Sequence, residues 1–121
     1  MRRGWVVGTI VLFVGLTGVA FAADPLEVAP DMYKKNFEND RVRVMTVTFA
    51  PGQSIPEHSH PDHFVYVLET GTVKITNSTG NVTDMTPKVG DVLWIPAETH
   101  SAVNTGSTEV KLLVVELKPQ G

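Results

Sequence analysis

The sequence contains no cysteine, and no long segment repeats its apolar residues at helical spacing. Without cysteine the chain forms no disulfide and offers no thiolate ligand to a metal ion. Basic residues are also few, ten against thirteen acidic ones, and they form no clustered basic face of the kind that binds nucleic acid. We therefore expect no nucleic-acid partner, a mainly non-helical fold, and metal ligands that are imidazoles or carboxylates.

The first 22 residues have the layout of a secretory signal peptide. Two arginines at positions 2 and 3 precede an apolar run to about residue 19, and residues 20–22 read Ala-Phe-Ala. We predict cleavage after Ala22 and a periplasmic or secreted protein that no longer contacts the membrane. An uncleaved membrane anchor is the alternative, because the apolar run is close to the minimum length of a bilayer span. Cleavage removes two basic residues and no acidic ones, so the net charge becomes 8 − 13 = −5.

Beyond residue 40 the sequence is typical of short β-strands separated by turns. Strand-like segments occupy residues 41–49, 64–68, 72–76, 91–96 and 109–117. The segment 64–68 is apolar throughout, which predicts a strand covered on both faces, and residues 77–81 are dense in turn formers. We predict an all-β fold, a single small antiparallel β-barrel over residues 41–121, preceded by an irregular arm over residues 23–40.

Three of the four histidines lie within six positions, at 58, 60 and 63. His58 and His60 are two residues apart, so on an extended segment both side chains point to one face. A turn at Pro61-Asp62 would fold His63 back towards them, and we expect His100 to reach the same point from across the barrel. A single histidine is more often a surface or hydrogen-bonded core residue, but this clustering favours a metal site.

The spacing of these residues resembles the two sequence motifs of the cupin superfamily, G-x5-H-x-H-x3,4-E-x6-G and G-x5-P-x-G-x2-H-x3-N. The matching positions are Gly52, His58 and His60 in the first motif and Gly90, Pro96, His100 and Asn104 in the second. The resemblance implies a small jelly-roll-like β-barrel with one metal bound by histidines near its mouth. It also implies a homodimer, since cupins often pair or exchange edge strands.

Two positions depart from the cupin pattern. His63 stands where the family usually has its metal-binding glutamate, and Glu98 stands at the glycine of the second motif, with one residue missing before His100. Four neutral imidazoles would leave a divalent ion its full charge, which makes it a stronger Lewis acid. The predicted ligands of one divalent transition metal (Fe, Cu, Ni, Mn or Zn) are His58, His60, His63 and His100. For His63, a hydrogen bond to a ligand is the alternative to direct coordination.

Three further residues are candidates for the site. Glu98 is a candidate catalytic base or a carboxylate that orients His100, and an exposed carboxylate beside a turn is an equal alternative. Tyr66 and Trp94 are candidate pocket residues, although aromatic residues in strands more often belong to the core. Asn104 is expected to hold a turn or a backbone group.

Two classes of function remain open at this point. The first is a metal-dependent small-molecule enzyme, an oxygenase-like oxidoreductase, whose metal keeps a position open for substrate. The second is a non-catalytic periplasmic binder of metal or of a small anionic or sugar-like ligand. The fold does not choose between them, because one fold supports many chemistries.

Overall fold

The computed structural model describes residues 23–121, so the predicted signal peptide of residues 1–22 lies outside the described residues. One short helix and nine strands follow in chain order: α1 (Pro25–Val28), β1 (Tyr33–Glu38), β2 (Val42–Phe49), β3 (Ser54–His60), β4 (His63–Glu69), β5 (Val73–Asn77), β6 (Val82–Met85), β7 (Val92–Ile95), β8 (Glu98–Asn104) and β9 (Val110–Leu117). Over residues 23–121, no helix has the length and apolar character that a bilayer crossing requires.

The strands form two antiparallel sheets. The larger has the order β1-β2-β9-β4-β7 and the smaller the order β3-β8-β5-β6. Strands that follow one another in the chain often lie in different sheets, as in a jelly roll. The all-β antiparallel prediction is confirmed, and its form is a jelly roll of two sheets rather than a closed barrel.

The core lies between the inner faces of the two sheets. On β2 the alternate residues Met45, Val47 and Phe49 are buried, and on β9 Val110 and Val114 are buried on the same inner face. Because side chains alternate along a strand, the residue that continues this inner row beyond Met45 is Arg43, and the one beyond Val114 is Glu116. These two charged residues are paired with each other across the strands, at the end of the sheet near the histidines.

The segment 23–40 is ordered structure, so the prediction of an irregular arm was wrong. Asp24 caps α1 by accepting a hydrogen bond from the Leu26 N–H, at 2.8 Å, and Pro25 occupies the first turn. Strand β1 then pairs antiparallel with β2, and its first residue, Tyr33, is buried in the core. The apolar residues of this segment were too sparse to show a period, yet Leu26 packs against the core and helps to hold the segment in place.

Two local predictions have different outcomes. Residues 77–81 form a tight connection between β5 and β6, as predicted, with the Asn77 side chain accepting from the N–H groups of Thr79 and Asn81. Strand β4 is covered on one face only, contrary to the prediction from its apolar run. Its inner residues are buried, whereas Tyr66 is 38% exposed on the outer face.

Candidate functional site

The four histidines come from three strands in both sheets. His58 and His60 lie on β3, and His58 is paired directly with His100 on the neighbouring strand β8. His63 is the first residue of β4, in the other sheet, after the turn at Pro61-Asp62. The expectation that His100 reaches the site from across the barrel was wrong, because β8 is the strand beside β3; the residue that comes from the opposite sheet is His63.

Three of the imidazoles converge on one point. One nitrogen each from His58, His60 and His100 lie within 4.8 Å of one another, and all three residues are buried. The ring centroid of His58 is 4.8 Å from that of His60 and 4.8 Å from that of His100. The ring of His63 stacks on His60, with centroids 4.4 Å apart and an interplanar angle of 30°. The geometry therefore gives a three-histidine group, with His63 beside it through His60.

Two histidines are oriented by backbone carbonyls two residues earlier in the chain. Nδ1 of His58 donates to the carbonyl of Pro56 at 2.7 Å, and Nδ1 of His63 donates to the carbonyl of Pro61 at 2.8 Å. A carbonyl oxygen only accepts, so each Nδ1 carries the proton and each Nε2 keeps its lone pair. The local sequence thus fixes the tautomer that a metal ligand needs.

The other two histidines are oriented by carboxylates. Nδ1 of His60 donates to Oε2 of Glu116 at 2.7 Å, and Nδ1 of His100 donates to Oε2 of Glu98. Glu98 therefore engages Nδ1 of His100 and leaves Nε2 free to bind a metal. Of the alternatives considered for Glu98, this contact matches the role of orienting His100. Carboxylate–histidine pairs of this kind raise the basicity of Nε2 and hold the ring in place.

Glu116 is the functional residue that sequence reasoning missed. Its carboxylate is buried, and it accepts a second hydrogen bond from Nε of Arg43 at 2.9 Å. Arg43 in turn donates to Asp24 at 2.7 Å, so a polar chain runs from Asp24 at the start of the described segment to His60. The available signal was its position on β9, where a carboxylate continues a row of alternate apolar residues, Val110, Leu112 and Val114.

Burial dominates the electrostatics of the cluster. Desolvation lowers the pKa of His58 and of His63 to about 4, and desolvation also lowers the pKa of His100. Burial alone would raise the pKa of Glu116, but the hydrogen bonds from His60 and Arg43 hold it below its usual value. Near neutral pH the imidazoles of His58, His63 and His100 are therefore uncharged, and the carboxylate of Glu116 is ionised.

One fully buried nitrogen of the cluster has no hydrogen-bond partner among the described residues. Over residues 23–121, Nε2 of His58 is a fully buried polar atom without a hydrogen bond. Leaving such a group unpaired costs about 1–3 kcal/mol, so a buried orphan of this kind needs an explanation. A metal ion bound at the convergence of the three rings would satisfy it.

The imidazoles form one wall of a cavity of about 60 Å³. The remaining walls are formed by Tyr33, Val47, Phe49, Ile55, Val65, Val73, Ile75, Ile95, Ala102, Leu112 and Val114. Tyr66 and Trp94 are not among them, and their prediction as pocket residues was wrong. Both lie on the outer face of the larger sheet, where Trp94 is 57% exposed, because they alternate with the inward residues of β4 and β7. The aromatic residue beside the histidines is Tyr33, 6.0 Å from His58 between ring centroids.

The sequence matches the family model of the cupin domain over residues 45–116. The chain belongs to the cupin family. The matched range contains all four histidines of the cluster and ends at Glu116. No curated protein matches the sequence of this cupin.

Solved structures of other cupins resemble this one. A cupin domain from Bordetella pertussis aligns with a TM-score of 0.67 at 24% identity, covering 73% of this chain and 93% of the other. A cupin superfamily protein from Desulfitobacterium hafniense aligns with a TM-score of 0.58 at 28% identity, covering 73% of this chain and 77% of the other. The polyketide cyclase RemF from Streptomyces resistomycificus aligns with a TM-score of 0.55 at 26% identity, covering 72% of this chain and 64% of the other.

Proposed function

We propose that this cupin binds one divalent transition metal through Nε2 of His58, His60 and His100, with His63 as a fourth ligand. The observation that carries the proposal is the state of the ring nitrogens. Each Nδ1 of the cluster is engaged by a carbonyl or a carboxylate, and the buried Nε2 of His58 has no partner in the described residues. Imidazole ligands of this kind suit Fe, Cu, Ni or Zn.

We further propose that the site serves a metal-dependent enzyme acting on a small molecule, of the oxygenase-like oxidoreductase class. A metal held by neutral imidazoles would supply Lewis-acid and, for a redox metal, electron-transfer chemistry. The protein would contribute ligand rings whose orientation is fixed by Glu116 and Glu98, and a largely apolar cavity beside them. RemF, with a similar fold, is named as a polyketide cyclase, which supports small-molecule chemistry on this fold.

The position of His63 supports a second candidate, a non-catalytic metal binder. Its ring stacks on His60, and its Nε2 is free of the Pro61 contact. Four imidazoles around a tetrahedral ion would leave no position for a substrate, whereas an octahedral ion would keep two positions open. The choice between the two candidates therefore depends on the metal and on whether His63 coordinates it.

Elemental analysis of the untagged protein, purified from its native compartment, tests the metal site. We expect one metal per chain in the parent and none in His58→Ala, with Ser59→Ala as a control between two ligands on the same strand. The absence of metal from the parent, even after reconstitution, would contradict the proposal. In the variant His63→Glu, retained metal with altered ligand spectra would identify His63 as a ligand, and unchanged spectra would remove it from the set.

We propose that the protein is exported and acts in the periplasm after cleavage behind Ala22. The support is the charged, apolar and small-residue order of residues 1–22. Cell fractionation followed by mass determination of the intact protein tests this. We expect the mass of the chain that begins at Ala23, and a full-length mass in the membrane fraction would favour the anchor instead.

We also propose that two copies associate through the outer face of β4 and β7. Tyr66 is paired with Val92 and Phe64 with Trp94 across these strands, so apolar side chains adjoin on the exposed face. Val92 and Trp94 are 62% and 57% exposed, which is unusual for such residues in a monomer. Sedimentation analysis should show a dimer that Trp94→Lys dissociates, whereas Val82→Lys, on the other sheet, should leave it intact.

A further inference from the structure

The cavity beside the histidines is almost free of polar groups. Apart from the imidazoles, only Tyr33 among the residues that line it carries a polar side-chain atom. The other walls are aliphatic or phenyl side chains, several of them in the buried core. Within residues 23–121, a ligand that enters this cavity therefore meets polar side-chain atoms only at the histidine wall and at Tyr33.

A second cavity of about 40 Å³ shares a wall with the first, and no histidine of residues 23–121 lines it. The two share five lining residues, namely Val65, Val73, Ile75, Ile95 and Leu112. The second adds Met85, Pro87 and Leu93 and has no side chain with a hydrogen-bonding N–H or O–H group. The shared apolar wall thus extends from the histidines towards β6 and β7.

No positively charged side chain lines either cavity within residues 23–121. Arg43, which lies close to His60, is paired with Asp24 and Glu116 and donates to both. A ligand with a second carboxylate or a phosphate far from the metal would therefore lose its hydration without gaining a cation. A sugar would lose hydrogen bonds at several hydroxyls, each costing about 1–3 kcal/mol when buried without a partner.

We infer that the ligand of this site has one metal-binding oxygen group and an otherwise apolar body of a few carbon atoms. The oxygen group lies at the histidine wall, and the body lies along the shared wall of the two cavities. Each cavity is smaller than the roughly 150 Å³ apolar cavity that holds a benzene molecule, which limits the body to a short chain or a small branched group. This inference rests on the metal site proposed above and adds the class of ligand that it takes.

A homologous series of straight-chain hydroxamates, from acetohydroxamate to hexanohydroxamate, tests the inference on the cobalt(II)-loaded protein. Binding is measured by the change in the visible cobalt spectrum, so no catalytic activity is needed. We expect each added methylene to tighten Kd about fourfold until the cavities are full. A hydroxyl at the far end of the chain should weaken Kd about tenfold relative to the methyl analogue of equal length, because it is buried without a partner.

Two variants of the cavity wall give opposite expectations. Leu112→Ala enlarges the wall shared by both cavities, so the tightest-binding chain should become longer. Ala102→Leu fills space beside His100, so the tightest-binding chain should become shorter. The exposed residue Val82 provides the control, since Val82→Ala should leave the whole series unchanged. If Ala102→Leu does not fold, the change in the length of the tightest-binding chain in Leu112→Ala still tests the inference.

The outcomes separate this inference from the metal proposal. Stoichiometric cobalt with a Kd that is independent of chain length, or with equally tight binding of the hydroxylated chain, would overturn the inference and leave the metal site intact. Failure of the protein to bind cobalt or any other tested divalent ion would overturn both. Tightening along the series, together with the shift in Leu112→Ala, would establish the apolar ligand class.

Discussion

His60 and Glu116 are 56 residues apart in the sequence, yet Nδ1 of His60 lies 2.7 Å from Oε2 of Glu116 in the buried interior. The same carboxylate is held by Nε of Arg43, so its position is fixed from two sides. Hydrogen bonds to charged groups are the stronger kind, and here both partners of the carboxylate are buried or nearly so. The orientation of His60 therefore depends on residues from the last strand and the second strand of the fold.

Replacing this carboxylate should weaken metal binding more than it alters the fold. In Glu116→Gln the side chain keeps its size but loses the charge that His60 and Arg43 share, and we expect metal affinity to fall about 10–100-fold. Competition with a chelator of known affinity measures the change in metal affinity. Glu109→Gln, at an exposed position, is the control. An affinity equal to that of the parent would show that Glu116 does not position His60.

Replacing Asp24 should lower the stability of the fold more clearly than it lowers the affinity for metal. Asp24→Ala removes the cap of α1 and one of the two partners of Arg43, so we expect the free energy of unfolding to fall by about 1 kcal/mol. The loss of metal affinity should be smaller than in Glu116→Gln, because Arg43 still holds the carboxylate. Lys35→Ala, which breaks an exposed ion pair, should change stability by less than half as much. Equal effects in the two variants would contradict a structural role for Asp24.

The metal-free protein should lose stability as the pH falls below about 6.5. Burial lowers the pKa of His58 and His63 to about 4 in the folded state, so the unfolded chain binds more protons between pH 6.5 and pH 4. Each proton taken up only on unfolding changes the unfolding equilibrium constant about tenfold per pH unit in this window. Above pH 6.5 these two histidines are neutral in both states, so they should add no pH dependence to the free energy of unfolding.

Chemical denaturation of the metal-free protein at pH 7.5, 6 and 5 measures this dependence. In the variant His63→Asn the free energy of unfolding should depend less steeply on pH than in the parent, since one of the titrating groups is gone. A free energy of unfolding that is constant from pH 7.5 to pH 5 would contradict the assignment of neutral buried imidazoles.

Asn104 should be a purely structural residue of the second motif. Its buried side-chain amide donates to the carbonyls of Phe49 and Thr108, at 3.0 and 2.8 Å, and its oxygen accepts from the N–H of Gly106 at 3.0 Å. Asn104→Ala leaves these backbone groups without partners, so we expect a loss of about 2–4 kcal/mol in unfolding free energy. Asn81→Ala, in the exposed β5–β6 turn, is the control. Metal stoichiometry should not change in the folded fraction, and a loss of metal without a loss of stability would refute this role.

The sequence predicted those features of the site that depend on local geometry. His58 and His60 share a face because strand side chains alternate, and Pro61-Asp62 turns the chain so that His63 follows them. The orienting contact of Glu98 was among the alternatives, since Glu98 and His100 are also two residues apart. Each of these relationships spans only a few residues, so the strand and turn rules were enough to find it.

The features that were missed depend on pairing between distant strands. Hydrophobicity alone would place Val42 and Val44 inside, yet β2 pairs with β9 so that Arg43 faces inwards beside Glu116. A half-buried arginine has no apolar signal, and its partner lies 73 residues away. The outward position of Trp94 was missed for a related reason, because an aromatic residue in a strand fits an exposed outer face as well as a pocket.

Among the strands of residues 23–121, the one that carries His58 and His60 is the outermost of its sheet, with β8 on one side only. On its other side, the N–H of Ser59 donates to the carbonyl of Ala23 at 3.1 Å, so the first described residue covers the edge between the two histidines. Unpaired strand edges open more readily than central strands. Release of the Ala23 contact would therefore expose the β3 edge first, and the rate at which an ion enters or leaves would follow the local opening of these few residues rather than the unfolding of the whole jelly roll.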